Sequence, residues 1–211
     1  MKKILLHSCC APCSAPILEW LRANDFTPTI FFFNPNIWPT DEYTKRKEEC
    51  VRYATELGVE FWDGDYNHAE WLARVAGLES EPERGSRCAA CFAHRLNATA
   101  LLAAERGFEE FTTTLGGSRW KDFAQIVDAG NRAAGLAQGV RFWDKDWKKG
   151  GLTERRAALL RQNGFYNQRY CGCEFSLSSF VSRLSSYSVT NAMREGMSPV
   201  VTDHLGAPSA E

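Results

Sequence analysis

Seven of the eight cysteines in this 211-residue chain lie in three closely spaced groups. Cysteines this close in sequence bridge one another only with strained geometry, so we expect the grouped thiols to bind metal rather than form disulfides. The remaining cysteine, Cys50, falls within a predicted helix, and we interpret it as a small buried side chain. The groups are C-C-x-x-C at Cys9, Cys10 and Cys13, C-x-x-C at Cys88 and Cys91, and C-x-C at Cys171 and Cys173.

The number of grouped thiols exceeds the four that one tetrahedral zinc ion or one iron–sulfur cluster takes. The sequence therefore predicts two metal centres, or one centre and a redox-active pair. A structural zinc ribbon usually carries two C-x-x-C knuckles, and the C-C and C-x-C elements depart from that template. The spacing favours iron or iron–sulfur binding, with zinc binding and thiol redox chemistry as the alternatives.

The composition is that of an ordinary globular protein, with 44% hydrophobic residues and a formal net charge of -1. Disordered, collagenous and coiled-coil classes are excluded, and the near-zero charge excludes a general polyanion binder. The most apolar stretch, residues 30–33, is far too short to span a bilayer. The apolar run at residues 4–6 is also too short for a signal peptide, so we expect a cytoplasmic protein with no membrane partner.

Strand-like and helix-like segments alternate along the chain. This alternation predicts an α/β fold, a Rossmann-like parallel sheet with helices on both faces, formed by residues 1–184 as one domain. Residues 185–211 are rich in Ser, Gly and Pro, and we expect a flexible tail. The predicted strands are 3–8, 27–33, 59–62, 111–115 and 140–143, and the predicted helices are 14–22, 41–57, 67–75, 88–105, 120–137, 152–163 and 176–184.

The first cysteine group follows the first predicted strand directly. Parallel sheets bind ligands beyond the carboxyl ends of their strands, so we expect the metal site at that edge. His7, beside this group, is interpreted as a core histidine with a satisfied hydrogen bond. Thr112, Thr113 and Thr114 end the fourth strand, and we predict that they contact phosphate or ribose, with ordinary strand content as the alternative.

Residues 141–169 combine basic and aromatic side chains, with eight Lys or Arg residues against three Asp or Glu residues. Cations beside aromatic rings suit single-stranded or looped RNA, whose unpaired bases stack on such rings. Lys148 and Lys149 are the predicted RNA contacts. A solvated helix face with core aromatics is an equally good interpretation of the composition alone.

Four motifs occur in a specific order along the chain, and together they resemble the cobalamin-independent epoxyqueuosine reductase family. The resemblance extends over residues 3–180 and implies a fold of the PP-loop and nucleotide hydrolase (HUP) group. It also implies the last step of queuosine biosynthesis, in which two electrons and two protons remove the epoxide oxygen of epoxyqueuosine at the tRNA wobble position. The motifs are H-S-C-C-A-P-C-S (7–14), R-C-x-x-C (87–91), F-T-T-T-L (111–115) and Y-C-G-C-E-F-S (170–176).

The resemblance also implies cofactors, partners and site residues. The partners are tRNA carrying epoxyqueuosine and an electron donor of the reduced ferredoxin or flavodoxin type, and Lys121 is a further substrate contact. Tyr170, Asp144, Asp146 and His94 are candidate proton donors. The expected ligands are Cys9, Cys10, Cys88 and Cys91 for a 4Fe-4S cluster, and Cys13, Cys171 and Cys173 for a neighbouring mononuclear iron.

Two other functions compete with this interpretation. An iron–sulfur tRNA sulfur transferase on a similar fold needs ATP activation, but the S-G-G-x-D-S phosphate loop is absent and Cys9 and Cys10 stand in its place. A non-catalytic zinc-binding RNA module is the second alternative. Metal and sulfide analysis separates these possibilities.

Overall fold

The computed structural model describes residues 1–194, with side-chain environments for residues 1–184. Five strands form one fully parallel sheet in the order β3-β2-β1-β4-β5. The parallel α/β fold predicted from the alternating segments is confirmed. The strands are β1 (Lys2–His7), β2 (Phe26–Phe32), β3 (Glu60–Asp63), β4 (Glu110–Thr113) and β5 (Arg141–Phe142).

Seven helices connect or follow the strands in the described part of the chain. Each crossover between neighbouring parallel strands contains at least one helix, as parallel pairing requires. The helices are α1 (Ala11–Ala23), α2 (Thr40–Leu57), α3 (His68–Arg74), α4 (Ser86–Glu105), α5 (Phe123–Leu136), α6 (Leu152–Gln162) and α7 (Glu174–Arg194).

The central strand β1 is buried on both faces, and its side chains alternate between two cores. Ile4 and Leu6 pack into a core that includes residues of α1, α2 and α6. Leu5 packs into the opposite core, which includes Phe92 of α4 and Ile126 of α5. Helices therefore cover both faces of the sheet, as the sequence predicts.

The order in which strands are added to the sheet reverses between β1 and β4. After β1 the chain builds β2 and β3 on one side, and then β4 and β5 on the other. The connections from these two central strands lead to opposite sides, which opens a crevice at their carboxyl ends. Cys9 follows β1 at this point, and Thr114 follows β4.

The predicted boundaries differ from the observed ones by one to a few residues in most elements. Thr114 belongs to a short 3-10 helix, Thr114–Gly117, rather than to the fourth strand. Helix α1 begins at Ala11, so Cys13 lies in its first turn while Cys9 and Cys10 remain in the loop. Helix α7 continues to Arg194, beyond its predicted end at residue 184, and the rest of the predicted tail, 195–211, lies outside the described residues. No helix in the described part is long and apolar enough to cross a membrane.

Candidate metal centre

Three thiols converge at the carboxyl end of β1. The Sγ atoms of Cys9, Cys10 and Cys13 all lie within 4.8 Å of one another. The Cys9 and Cys10 sulfurs are 3.9 Å apart, and all three side chains are buried. The start of α1 places them together, because Cys13 in its first turn lies beside the two cysteines of the preceding loop.

Thr114 fixes Cys9 across the crevice between β1 and β4. The Cys9 backbone amide donates to the Thr114 Oγ1 at 3.1 Å, and that hydroxyl lies 3.2 Å from the Cys9 Sγ. Both residues are buried. The threonine after β4 therefore orients the first thiol of the group.

The other four grouped thiols line a small cavity that forms a second candidate site, called the second cavity or the four-thiol cavity. Cys88 and Cys91 come from the first turns of α4, while Cys171 and Cys173 come from the loop before α7. The Cys88 Sγ accepts a hydrogen bond of 3.3 Å from the Arg84 backbone amide. Two segments at least 80 residues apart in sequence thus contribute four sulfurs to the lining of one cavity.

The C-x-C turn is held from the side of α2. Arg46 donates to the Cys171 carbonyl at 3.2 Å and forms a 2.6 Å ion pair with Glu42. The Trp38 backbone amide donates to the Gly172 carbonyl at 2.8 Å. Gly172 has a φ of +134°, a conformation that glycine adopts without strain.

Buried cations, and no carboxylates, accompany the thiols among the described residues that line the second cavity. Arg87, Arg95 and Lys121 all line it and are buried. Burial opposes the charge on Lys121, but the thiols of Cys171 and Cys9 hold its pKa above the ordinary value. Lys121 is therefore under the electrostatic influence of both thiol groups.

The thiols differ in their readiness to ionise. Hydrogen bonds from the Cys10 and Cys13 thiols lower the pKa of Cys9 well below its usual range. Burial raises the pKa of Cys10. It also raises the pKa of Cys88 to about 11 and that of Cys173 to about 12. Because metal ligation requires deprotonated thiols, metal binding releases protons from this site.

Several buried polar atoms around the second cavity have no hydrogen-bond partner within the described residues. Three are nitrogen donors, Trp71 Nε1, Arg87 Nε and Arg95 Nε, and all three residues line the cavity. Unpaired buried donors are costly unless a further group satisfies them. Four soft thiol ligands, three buried cations and three unpaired donors fit an anionic sulfur-rich metal group.

The predicted RNA-contacting threonines are buried, with protein partners for their hydroxyls. Thr112 donates to the Trp143 carbonyl at 2.9 Å, and the Thr113 hydroxyl lies 2.8 Å from the His7 Nδ1. Thr114 binds Cys9, as described above. Lys121 is buried as well, and its Nζ lies 3.2 Å from the Ser118 Oγ. These four side chains have partners inside the fold, and their predicted contacts with the substrate stay predictions.

The candidate proton donors do not line the second cavity. Tyr170 is buried and its hydroxyl donates to the Trp38 carbonyl. His94 is partly buried beside Phe33, and burial lowers its pKa. Asp144 is exposed, while Asp146 forms a 3.6 Å ion pair with Lys149. Their proposed role in proton transfer stays a prediction.

His7 and Cys50 match their interpretation as core residues. The His7 ring is buried, with Nδ1 near Thr113 and Nε2 at 3.1 Å from the Phe33 carbonyl oxygen. Burial, reinforced by Arg95, lowers its pKa to about 3, so the ring is neutral at physiological pH. Cys50 is buried, and its Sγ is 3.8 Å from the Ser8 hydroxyl.

Sequence reasoning missed several residues that the structure brings to the thiols. Arg95 and Trp71 line the second cavity, and Arg156 on α6 lines a different cavity together with Cys13. An arginine or tryptophan within a helix carries no local signal for such a role. Arg87 is different, because the R-C-x-x-C motif already contains it.

Two solved structures share this fold. One is described as a predicted subunit of tRNA methyltransferase from Methanocaldococcus jannaschii, with a TM-score of 0.51 and 11% identity, covering 96% of this chain and 94% of that chain. The other is the U34-tRNA thiolase NcsA from Methanococcus maripaludis with its 4Fe-4S cluster. Its TM-score is 0.50 at 12% identity, covering 92% of this chain and 67% of that chain.

The fold and the site define a parallel α/β protein with a cysteine-rich candidate metal centre. The family model described as Epoxyqueuosine reductase QueH matches residues 4–179. The chain therefore belongs to the QueH family of epoxyqueuosine reductases, which are oxidoreductases. The resemblance drawn from the four motifs is confirmed.

Relatives with the same description are closely similar to this chain. Epoxyqueuosine reductase QueH of Histophilus somni is 49% identical over 175 residues, covering 83% of this chain and 72% of that protein. Epoxyqueuosine reductase QueH of Haemophilus influenzae is 47% identical over 175 residues, covering 83% and 71%. The similarity extends over all three cysteine groups, since the family match spans residues 4–179.

Proposed function

We propose that this chain reduces epoxyqueuosine in tRNA to queuosine. The observation that carries the proposal is family membership over residues 4–179, together with the two thiol groups at the carboxyl end of the sheet. The reaction consumes two electrons and two protons, converts the epoxide into an alkene and releases its oxygen as water. The sulfur transferase and zinc-module alternatives lose support, because neither is the activity for which the family is named.

We propose a division of the metal ligands that follows the two groups of thiols in the structure. Cys88, Cys91, Cys171 and Cys173 would hold a 4Fe-4S cluster, and the triad of Cys9, Cys10 and Cys13 would hold the second iron. This division differs from the one implied by motif resemblance, which paired Cys9 and Cys10 with Cys88 and Cys91. A cluster supplies electrons one at a time, and an iron with a free coordination position acts as a Lewis acid on oxygen.

The protein's own residues prepare this site electrostatically. Arg87, Arg95 and Lys121 offset the negative charge of ligating thiolates in a buried environment, where uncompensated charge is costly. Lys121, influenced by Cys171 and Cys9, is positioned to serve both centres. The triad thiols and Cys91 are buried, which keeps bulk water away from these sulfurs, whereas the other three thiols are partly buried.

The RNA contacts belong to the exposed cations near the triad. Lys148 and Lys149 are exposed and follow β5, and Lys148 lines a cavity that also contains Cys13. Cationic side chains beside tryptophans suit a single-stranded tRNA loop.

The electrons come from a reduced protein of the ferredoxin or flavodoxin class. The reaction takes place in the cytoplasm.

The test is metal analysis followed by a tRNA assay. Protein purified without oxygen is expected to contain about four sulfides and four to five irons per chain, with visible absorption that bleaches on reduction. With dithionite or a reduced low-potential donor, it should convert epoxyqueuosine in tRNA to queuosine, detected by mass spectrometry of digested nucleosides. Zinc without sulfide would overturn the redox proposal, and a requirement for ATP would favour the sulfur transferase.

A further inference from the structure

A further cavity, separate from the four-thiol cavity, opens beside the cysteine triad. It has a volume of about 270 Å³ and lies between α1, the loop after the 3-10 helix and the start of α6. Of the grouped thiols, Cys13 lines this cavity, and the four thiols of the other group line a different one. A ligand in this cavity would therefore reach the triad through Cys13.

The charge of this cavity is entirely positive among the described residues that line it. Arg119, Lys148 and Arg156 contribute cations, and none of the lining residues is an aspartate or glutamate. Arg156 is partly buried and lines the cavity together with Cys13, whose thiol helps to hold the pKa of the guanidinium above its ordinary value. Permanent cations without neighbouring carboxylates favour an anionic ligand such as a phosphodiester.

Aromatic side chains complete the lining. Trp120 and Trp147 both contribute to the cavity, and the Arg119 guanidinium lies 4.6 Å from the centroid of the Trp120 ring. Indole faces stack on nucleobases independently of sequence. The volume lies near the lower end of the range for small-molecule sites, which suits one nucleoside rather than a stretch of RNA.

We infer that this cavity binds a single nucleotide that has left the stack of its RNA loop. The base lies against the tryptophans, Arg119 and Lys148 hold the flanking phosphates, and Arg156 positions the modified side of the base at Cys13. This inference rests on the proposed function, since it identifies where the wobble nucleotide enters the site. Taking a base out of its stack is the usual solution for enzymes that act on one base, and a loop nucleotide is the easiest to extract.

Arg156 has a matched control on the same helix. Its neighbour Arg155 carries the same charge, but its guanidinium makes two 2.7 Å contacts with the Glu19 carboxylate instead of lining the cavity. Equilibrium binding of a fluorescently labelled anticodon stem-loop RNA is measured by anisotropy with wild-type, Arg156→Gln and Arg155→Gln proteins. We expect Kd to rise about tenfold in Arg156→Gln, as for loss of a charge-assisted contact, and less than about twofold in Arg155→Gln.

The Trp120→Leu variant tests base stacking, a contribution to RNA binding that differs chemically from the charge of Arg156. Removal of a stacking ring should raise Kd about tenfold while leaving the dependence of Kd on salt unchanged, because stacking releases no counterions. Circular dichroism and iron content establish that each variant is folded and loaded. Equal weakening in Arg155→Gln and Arg156→Gln, or wild-type affinity in both Arg156→Gln and Trp120→Leu, would overturn the cavity as the nucleotide site.

Reduction of epoxyqueuosine in full tRNA by the wild-type and Arg155→Gln proteins is measured in parallel. If the wild-type protein is active while Arg156→Gln and Trp120→Leu bind RNA normally, the cavity assignment fails and the proposed function stands. If the wild-type protein is inactive but both variants weaken RNA binding as expected, the nucleotide cavity is supported and the proposed reduction fails.

Discussion

The guanidinium of Arg46 donates a 3.2 Å hydrogen bond to the backbone carbonyl of Cys171. Arg46 is buried, lies on α2 and forms a 2.6 Å ion pair with Glu42. The contact therefore ties the C-x-C turn, near the end of the described chain, to a helix in its first quarter. A planar guanidinium has several donors in fixed directions, so it donates hydrogen bonds to a carboxylate and a carbonyl at the same time. The single ammonium group of lysine does not reproduce this geometry.

We predict that Arg46→Lys lowers both stability and metal content. Lysine keeps the charge but loses the second donor, so the free energy of unfolding should fall by about 1–3 kcal/mol. Iron and sulfide per chain should also fall, because the C-x-C turn loses its support. Denaturant unfolding and metal analysis measure the two effects. The control is Arg52→Lys on the exposed face of α2, where Arg52 pairs with Glu56, and full metal content in Arg46→Lys would contradict the prediction.

The alternation of apolar segments was sufficient to predict the parallel sheet, and the position of the first cysteine group after β1 predicted that thiols lie at the carboxyl edge of that sheet. The grouping of thiols was beyond local sequence, because it depends on how α4 and the loop before α7 meet. Cys88 and Cys171 share a cavity only through this long-range packing. The roles of Arg46 and Arg95 were not predicted either, because a charged residue in a helix is usually exposed to solvent.

The backbone at Gly172 leads to a second prediction. Its φ is +134°, and a Cβ added there would lie 3.0 Å from the Arg46 Nη1 and 3.3 Å from the Ile37 Cγ1. Gly172→Ala should therefore distort the C-x-C turn and reduce iron and sulfide content. Gly164→Ala is the control, because Gly164 also has positive φ but open space around its Cα. Equal metal loss in the two variants would show that backbone strain alone, not the contact with Arg46, decides the outcome.

The proposed division of thiols predicts different losses for different cysteines. Cys13→Ala should retain about four sulfides per chain and lose iron only from the second site, whereas Cys88→Ala should lose sulfide and most iron. Cys50→Ala should keep both metals, since Cys50 is buried beside Ser8 and separate from both groups. Iron and acid-labile sulfide are measured on protein purified without oxygen. Loss of sulfide in Cys9→Ala with retention in Cys171→Ala would restore the division implied by the motifs.

We predict that Trp71 tunes the reduction potential of the proposed cluster. Its ring is almost fully buried, and its Nε1 donor has no hydrogen-bond partner within the described residues although Trp71 lines the four-thiol cavity. A donor facing ligated sulfur stabilises the reduced, more negative cluster and so raises its potential. Trp71→Phe keeps an aromatic ring but removes the donor, and the potential should therefore fall.

The measurement is a redox titration of the cluster followed by electron paramagnetic resonance. The control is Trp62→Phe, because the Trp62 Nε1 donates to Glu60 at 3.0 Å and Trp62 does not line the four-thiol cavity. Loss of packing lowers stability by about 1–2 kcal/mol in either variant, so unfolding alone does not distinguish them. A lower potential in Trp71→Phe with an unchanged potential in Trp62→Phe separates a hydrogen bond to the cluster from a general packing effect, and unchanged potentials in both would remove Trp71 from this role.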